Sequence, residues 1–254
     1  MAARAMWKGV IRFGDVNVPV KMFSAIEDRN VHFRLLHRKD KLPVKQAMVN
    51  PETGSIVPYA ETKRAFVTDE GDLVMLDREE LDALEPEKSR DIDILHFLPQ
   101  HEIDHRWYDR PYYLGPDGAS EEYFALAAGL ESAQMEGLAH WVMRNKEYIG
   151  ALRVHDGYPM LMSLRHAEEV IPVESLEAPS GKPLDEKELS MARQLIAMLE
   201  AKFEPEEYRD EYRERVLKML EAKKAGRTVK VLPFRKRAPS EDLTAALEAS
   251  LRSA

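Results

Sequence analysis

Trp7-Lys8-Gly9-Val10-Ile11-Arg12-Phe13-Gly14-Asp15-Val16-Asn17-Val18-Pro19-Val20-Lys21 decides the fold class. Trp7–Phe13 alternates large and small side chains around a glycine pause, and Val16–Phe23 is rich in β-branched residues. Both are strand signatures; Pro19, which cannot donate to a ladder, suggests an edge or a bulge. Asn30–Leu36 alternates Val31, Phe33 and Leu35 with His32 and Arg34. That is the period of a half-buried strand, and it turns Arg34 away from the core. Further on, Ile92–Phe97, Arg110–Leu114, Gly137–Arg144, Tyr148–Val154 and Pro159–Leu164 read as strands. Gly115–Gly118 reads as a loop, and His155-Asp156-Gly157 as a hairpin turn. Trp141 and Met143 lie on a strand pattern and are expected in the core.

Between these strands the pattern is less regular. Lys41–Tyr59 is broken by the turn Asn50-Pro51-Glu52-Thr53-Gly54, a hairpin signal. Asp69-Glu70-Gly71-Asp72 marks a second turn, and Asp77-x-x-Glu80 opens a short helix ending near Leu84. Ser120 is placed to cap a helix through Leu130. After about Pro172 the character becomes helical. Pro179–Pro183 reads as a linker, followed by helices over Asp185–Phe203 and Glu206–Ala225, with Pro205 at an allowed first-turn position. Leu184, Glu188, Met191, Leu195, Met198 and Leu199 form the stripe of the first helix, and Gly226 ends the second. In Ser240–Leu251, Leu243, Leu247 and Leu251 share one face of a short helix behind the N-cap Ser240. A helix this short is marginal alone and folds only when its leucine face docks on something, either the rest of this chain or another protein.

The chain has 254 residues, 44% apolar and 32% charged, enough for a sizeable core. It has no cysteine, which excludes disulfides, thiol nucleophiles and thiolate metal sites. No stretch reaches the length of a membrane span and no secretory leader is read, so an intracellular protein is expected. The net charge of −8 conceals a pattern. Residues 1–68 carry +6 and residues 69–136 carry −14, while residues 218–254 carry +5. Binding answers to the local field rather than to the total.

The basic segments carry the functional reading. Arg29, Arg34, Arg38, Lys39, Lys41 and Lys45 cluster in sequence, and Lys63 and Arg64 follow the Asn50–Gly54 turn. Between Lys223 and Arg237 lie Lys223, Lys224, Arg227, Lys230, Arg235, Lys236 and Arg237 with no acidic residue. Such segments attract phosphate by counterion release. No recognition helix poised for base edges is legible, and aromatic residues are not interleaved with the basic ones. Duplex backbone binding without sequence readout is the expectation. One catalytic pattern competes: His101-Glu102-Ile103-Asp104-His105 matches H-E-x-x-H, with Glu131 as a third ligand by spacing only. That alternative is a zinc metallohydrolase, and it requires a helix placing both imidazoles on one face. A third reading is a protein-interaction adaptor presenting the acidic 69–136 region to a basic partner.

Beyond these patterns the chain resembles the bacterial Ku family. The opening Trp7–Lys21, Asn50–Gly54, Glu102-Ile103-Asp104, Asp109-Arg110-Pro111-Tyr112-Tyr113-Leu114 and the tail Asp242–Leu251 carry the resemblance, in order along the chain. It implies an α+β, mainly β fold: a β-barrel core with an inserted bridging hairpin region and a helical C-terminal arm. The implied organisation is a core over 1–175 with a DNA-encircling bridge at about 41–84, a helical arm over 176–225, a basic linker over 226–239 and a partner-docking helix over 240–254. The resemblance implies a homodimeric ring that threads onto double-stranded DNA ends. It also implies recruitment of an ATP-dependent end-joining DNA ligase through Leu243, Leu247 and Leu251. No cofactor and no catalytic residue are implied, and His101 and His105 become incidental. The setting implied is cytoplasmic, at the nucleoid. Some relatives carry cysteines near the bridge hairpin; this chain has none, so no zinc knuckle can form there.

Overall fold

The computed structural model describes residues 4–118, 121–178, 181 and 185–227. They divide into one unit of residues up to Asp28 with Arg34–Val173, and a second of Arg29–Phe33 with the residues from Glu174 onward.

The first unit is built on a closed seven-stranded barrel. Its strands are β1 (Trp7–Phe13), β2 (Val16–Ser24), β5 (Asp91–Pro99), β6 (Tyr108–Pro116), β7 (Met135–Met143), β8 (Lys146–His155) and β9 (Tyr158–Leu164). Around the barrel the order is β1-β2-β6-β9-β8-β7-β5, and β5 closes on β1. All pairings are antiparallel except β1 with β5, where Val10 to Arg12 run parallel to Asp91 to Asp93. Closure leaves no open edge in the sheet. The period-two alternation points Ile11, Val18, Val20, Met22, Ile92, Leu114, Leu152 and Leu161 inward with no solvent exposure. Strand β6 runs on through Gly115 and Pro116, which the sequence places in a loop, because both pair with β2. Helix α2 (Glu121–Ala133) buries Tyr123, Leu126, Ala127 and Leu130. The Tyr123 hydroxyl donates to the Leu114 carbonyl at 2.6 Å, and burial pushes its pKa up to about 12. The Ser120 cap expected for this helix lies outside the described residues.

Trp141 is buried at the centre of this core, stacked on Tyr148 at 5.3 Å. Gly150 makes room for it. A Cβ on Gly150 would lie 2.6 Å from the Met162 carbonyl oxygen and 2.6 Å from the Trp141 ring. Gly150→Ala is therefore expected to cost about 1–3 kcal/mol through overpacking, because a backbone atom cannot swing aside. Urea unfolding followed by tryptophan fluorescence checks it; an unchanged midpoint would show that the sheet yields freely.

Between Ser24 of β2 and Asp91 of β5 the chain leaves the barrel. The sequence reads Asn30–Leu36 as a half-buried strand, and the structure overturns this. Only an isolated bridge forms, Leu36 to Pro43, and Phe33 and Leu35 are 65% and 70% exposed. The alternation is real, but no neighbouring strand of the described chain covers its apolar side. Three short hairpins follow one another instead. The first closes through His37 N–H to Leu42 O (2.8 Å) and Val44 N–H to Leu35 O (3.2 Å). The second turns at Asn50–Gly54 as the sequence indicates. Val49 bridges Ile56, and the Asn50 side-chain oxygen accepts from the Glu52 and Thr53 amides. The third pairs β3 (Arg64–Val67) with β4 (Leu73–Leu76) across the expected turn at 69–72. Helix α1 (Arg78–Ala83) then starts where the Asp77/Glu80 spacing puts it, with the Glu80 carboxylate accepting from the Asp77 amide at 2.9 Å.

The second unit holds α3 (Glu186–Met198) and α4 (Glu211–Lys224). Asp185 caps α3, accepting from the Glu188 amide at 2.8 Å. Both helices are shorter than the sequence indicates. Helix α3 stops at Met198, short of Phe203. Pro205–Glu207 forms only a 3₁₀ turn, and α4 begins at Glu211 because Asp210 accepts from the Arg213 amide at 2.9 Å and sets the cap there. Leu184 of the α3 stripe lies outside the described residues. No described helix is long and apolar enough to cross a membrane.

Candidate nucleic-acid interface

The insertion between β2 and β5 displays seven of the fifteen basic residues singled out from the sequence. In the first hairpin, Arg38, Lys39 and Lys41 stand at the tip. The Asp40 carboxylate makes the turn, accepting from the Leu42 amide at 3.1 Å and pairing with His37 at 2.9 Å. The Leu42 amide, and then His37, hold its pKa below the usual carboxylate value. Lys41 takes a positive φ of 61°, which turns the chain sharply back. Arg34 and Lys45 flank this hairpin, and Arg64 opens β3. All six side chains, Arg34, Arg38, Lys39, Lys41, Lys45 and Arg64, are exposed, and among the described residues none is in an ion pair.

Lys63 differs. Its ammonium group lies 3.0 Å from the Asp77 carboxylate, and that hydrogen bond raises its pKa. Its charge is already partnered within the insertion. Arg29 belongs to the second unit, where its carbonyl accepts from the Arg213 guanidinium at 2.7 Å. Lys223 and Lys224 stand exposed in the last turn of α4, followed by exposed Arg227. Lys230, Arg235, Lys236 and Arg237 lie outside the described residues, as do Leu243, Leu247 and Leu251.

The same insertion is apolar where a soluble hairpin is normally polar. Phe66, Val67, Leu73 and Met75 on β3 and β4 are all more than half exposed, as are Leu42, Ile56 and Tyr59. A sheet of two strands exposed on both faces has no core of its own.

The H-E-x-x-H pattern does not form the helix that zinc binding requires. His101 sits in a turn with φ 72°, and His105 opens the 3₁₀ turn His105–Trp107. Asp104 caps that turn, accepting from the Arg106 amide at 2.9 Å, and this contact lowers its pKa. The two imidazoles therefore share no helical face, and the His105 side chain is 92% exposed. Among the described residues no group of three or more His, Asp or Glu side chains could hold a metal ion.

Comparison with known proteins agrees with the barrel. A family profile described as the Ku70/Ku80 beta-barrel domain matches residues 12–191. A Geotalea uraniireducens protein named non-homologous end joining protein Ku 2 is 37% identical over 254 residues, covering 99% of each chain. A Coxiella burnetii protein named non-homologous end joining protein Ku is 37% identical over 237 residues, 91% of this chain and 86% of its own. A Mycobacterium tuberculosis protein of that name is 32% identical over 262 residues, 98% and 95% of the two chains.

Proposed function

The chain belongs to the Ku family, and from that membership and the geometry of its insertion we propose that it is a homodimeric ring that binds double-stranded DNA ends. It binds them without reading sequence, for non-homologous end-joining repair, and its work is binding rather than catalysis. The observation that carries the reading is the insertion itself. It leaves a closed barrel, presents six unpaired exposed cations and bares the apolar side chains of β3 and β4. A second copy covers those apolar side chains, and the cations meet phosphates. The bridge spans about 41–84. Acidic outer surfaces limit indiscriminate binding. A closed ring admits duplex only at an end, so end preference needs no residue that reads the terminus.

The rest of the organisation is part of the same proposal. Residues 176–225 form the helical arm and 226–239 a basic linker whose Lys230, Arg235, Lys236 and Arg237 add phosphate contacts. The leucine face Leu243, Leu247 and Leu251 recruits an ATP-dependent end-joining ligase. The protein acts in the cytoplasm at the nucleoid.

Gel-shift binding to one linear duplex and to its covalently closed circular form, at equal length and salt, tests the ring. Tight binding to the linear form alone is expected. Equal binding to both would leave a basic DNA binder without a ring, and no binding at low salt would favour the protein-interaction adaptor.

A further inference from the structure

A second basic site lies on the barrel, outside the hairpins. A recess of about 590 Å³ opens where the insertion returns to β5. Its wall comes from three separate stretches: Trp7 and Lys8 of β1, Lys88, Ser89 and Arg90 leading into β5, and the Arg144-Asn145 turn between β7 and β8. The backbone fixes each stretch. The Val10 amide donates to the Arg90 carbonyl at 2.8 Å, which docks the return segment on β1. Arg144 and Asn145 both take positive φ, 53° and 61°, in the two-residue turn that joins β7 to β8. Trp7 packs over Gly9, where a Cβ would strike its ring.

The electrostatics of this recess are one-sided. Four cations line it and no carboxylate does. Lys8 is committed to Asp117 at 2.9 Å. Lys88, Arg90 and Arg144 are exposed and have no ion pair among the described residues. Of the two acids adjacent in sequence, Asp91 is taken by Arg12 at 3.0 Å, and Glu87 does not line the recess. The Ser89 hydroxyl accepts from the Asp91 amide at 3.0 Å, which leaves its proton free to donate. In a chain of net charge −8, three unneutralised cations around one open recess make a local positive field that attracts an anion.

We propose that Lys88, Arg90 and Arg144 hold a backbone phosphate of duplex DNA at the foot of the insertion. This rests on the duplex-binding reading above and extends it from the hairpins to the barrel. The recess is open rather than enclosed, which suits a phosphate carried on a polymer. It adjoins the point where the insertion rejoins the barrel, so duplex held by the hairpins passes beside it. Guanidinium groups from Arg90 and Arg144 bind phosphate oxygens in pairs, and Lys88 adds a point charge.

The test uses the full chain with Lys88→Gln, Arg90→Gln and Arg144→Gln combined. Its unfolding midpoint is expected to match that of the unsubstituted chain, since all three side chains are exposed. The slope of log K against log salt for a linear duplex is expected to become shallower by at least about one unit. An unchanged slope overturns this inference alone. Absence of duplex binding by the unsubstituted chain overturns the duplex reading and this inference together. If inorganic phosphate broadens in ³¹P spectra with the unsubstituted chain but not with the variant, while the duplex slope is unchanged, the recess serves a free anion and the DNA assignment falls.

Discussion

Arg153→Ala is expected to destabilise the barrel by about 3–5 kcal/mol, because it strands a buried charge. Glu136 on β7 has no solvent exposure. Its Oε2 accepts from Arg153 Nε at 3.0 Å, from a second nitrogen of the same guanidinium, and from the Tyr108 hydroxyl at 3.4 Å. The guanidinium also sits 4.8 Å from the Tyr108 ring centre and donates to that hydroxyl. Three strands, β6, β7 and β8, are tied through this one carboxylate. Glu136 Oε1 has no hydrogen-bond partner among the described residues, so Arg153 supplies almost all of the compensation. Removing it leaves a buried carboxylate whose one remaining partner among the described residues is the Tyr108 hydroxyl at 3.4 Å. A denaturant midpoint at fixed protein concentration measures the loss. The double variant Glu136→Leu with Arg153→Met should recover most of it, since both partners are then apolar and of similar volume. A loss below about 1 kcal/mol for Arg153→Ala would show that water reaches Glu136 and that the pair is of the weak surface kind.

The barrel strands were legible because each buries one side of a two-residue repeat. Ile11, Val18, Val20 and Met22 are spaced as an inward face must be. The ion pair inside the barrel was not legible. Glu136 and Arg153 lie 17 residues apart and only the β7–β8 register brings them together. In the insertion the same alternation misled. Val31, Phe33 and Leu35 signal a face that wants covering, but periodicity does not say whether the cover comes from this chain. The helix ends failed for a different reason. The Asp210 cap competes with the Pro205 start and prevails by its bond to the Arg213 amide. Turn chemistry held better, since Asn50, Asp77 and Glu80 act within three residues of themselves. The basic hairpin tip was found from clustering alone. The recess is not legible in the sequence because Lys88 and Arg90 come from one stretch, beside Glu87 and Asp91, and Arg144 from another. No one-dimensional signal distinguishes them from solvated surface.

The six unpaired cations of the insertion are expected to carry most of the duplex affinity. With Arg34, Arg38, Lys39, Lys41, Lys45 and Arg64 all changed to glutamine, binding to a linear duplex should weaken at least about 10³-fold at about 50 mM salt. Each phosphate contact contributes about 0.9 to the slope of log K against log salt, so six contacts give a slope near 5 for one chain. The six contacts of each chain should account for a loss of roughly 10³ in affinity between about 50 and 200 mM salt, and the variant should lose far less. All sequences should weaken alike, because phosphates and not bases are the ligands. Lys63→Gln is the internal comparison. Its ammonium group is held by Asp77 at 3.0 Å, so its loss should move the slope much less than Arg38→Gln does. Equal effects at the two positions would show that Lys63 leaves Asp77 for phosphate on binding. An unchanged slope in the sixfold variant would move the interface off the hairpins altogether, leaving the barrel recess, the α4 cations Lys223 and Lys224, and the basic linker as separate alternatives.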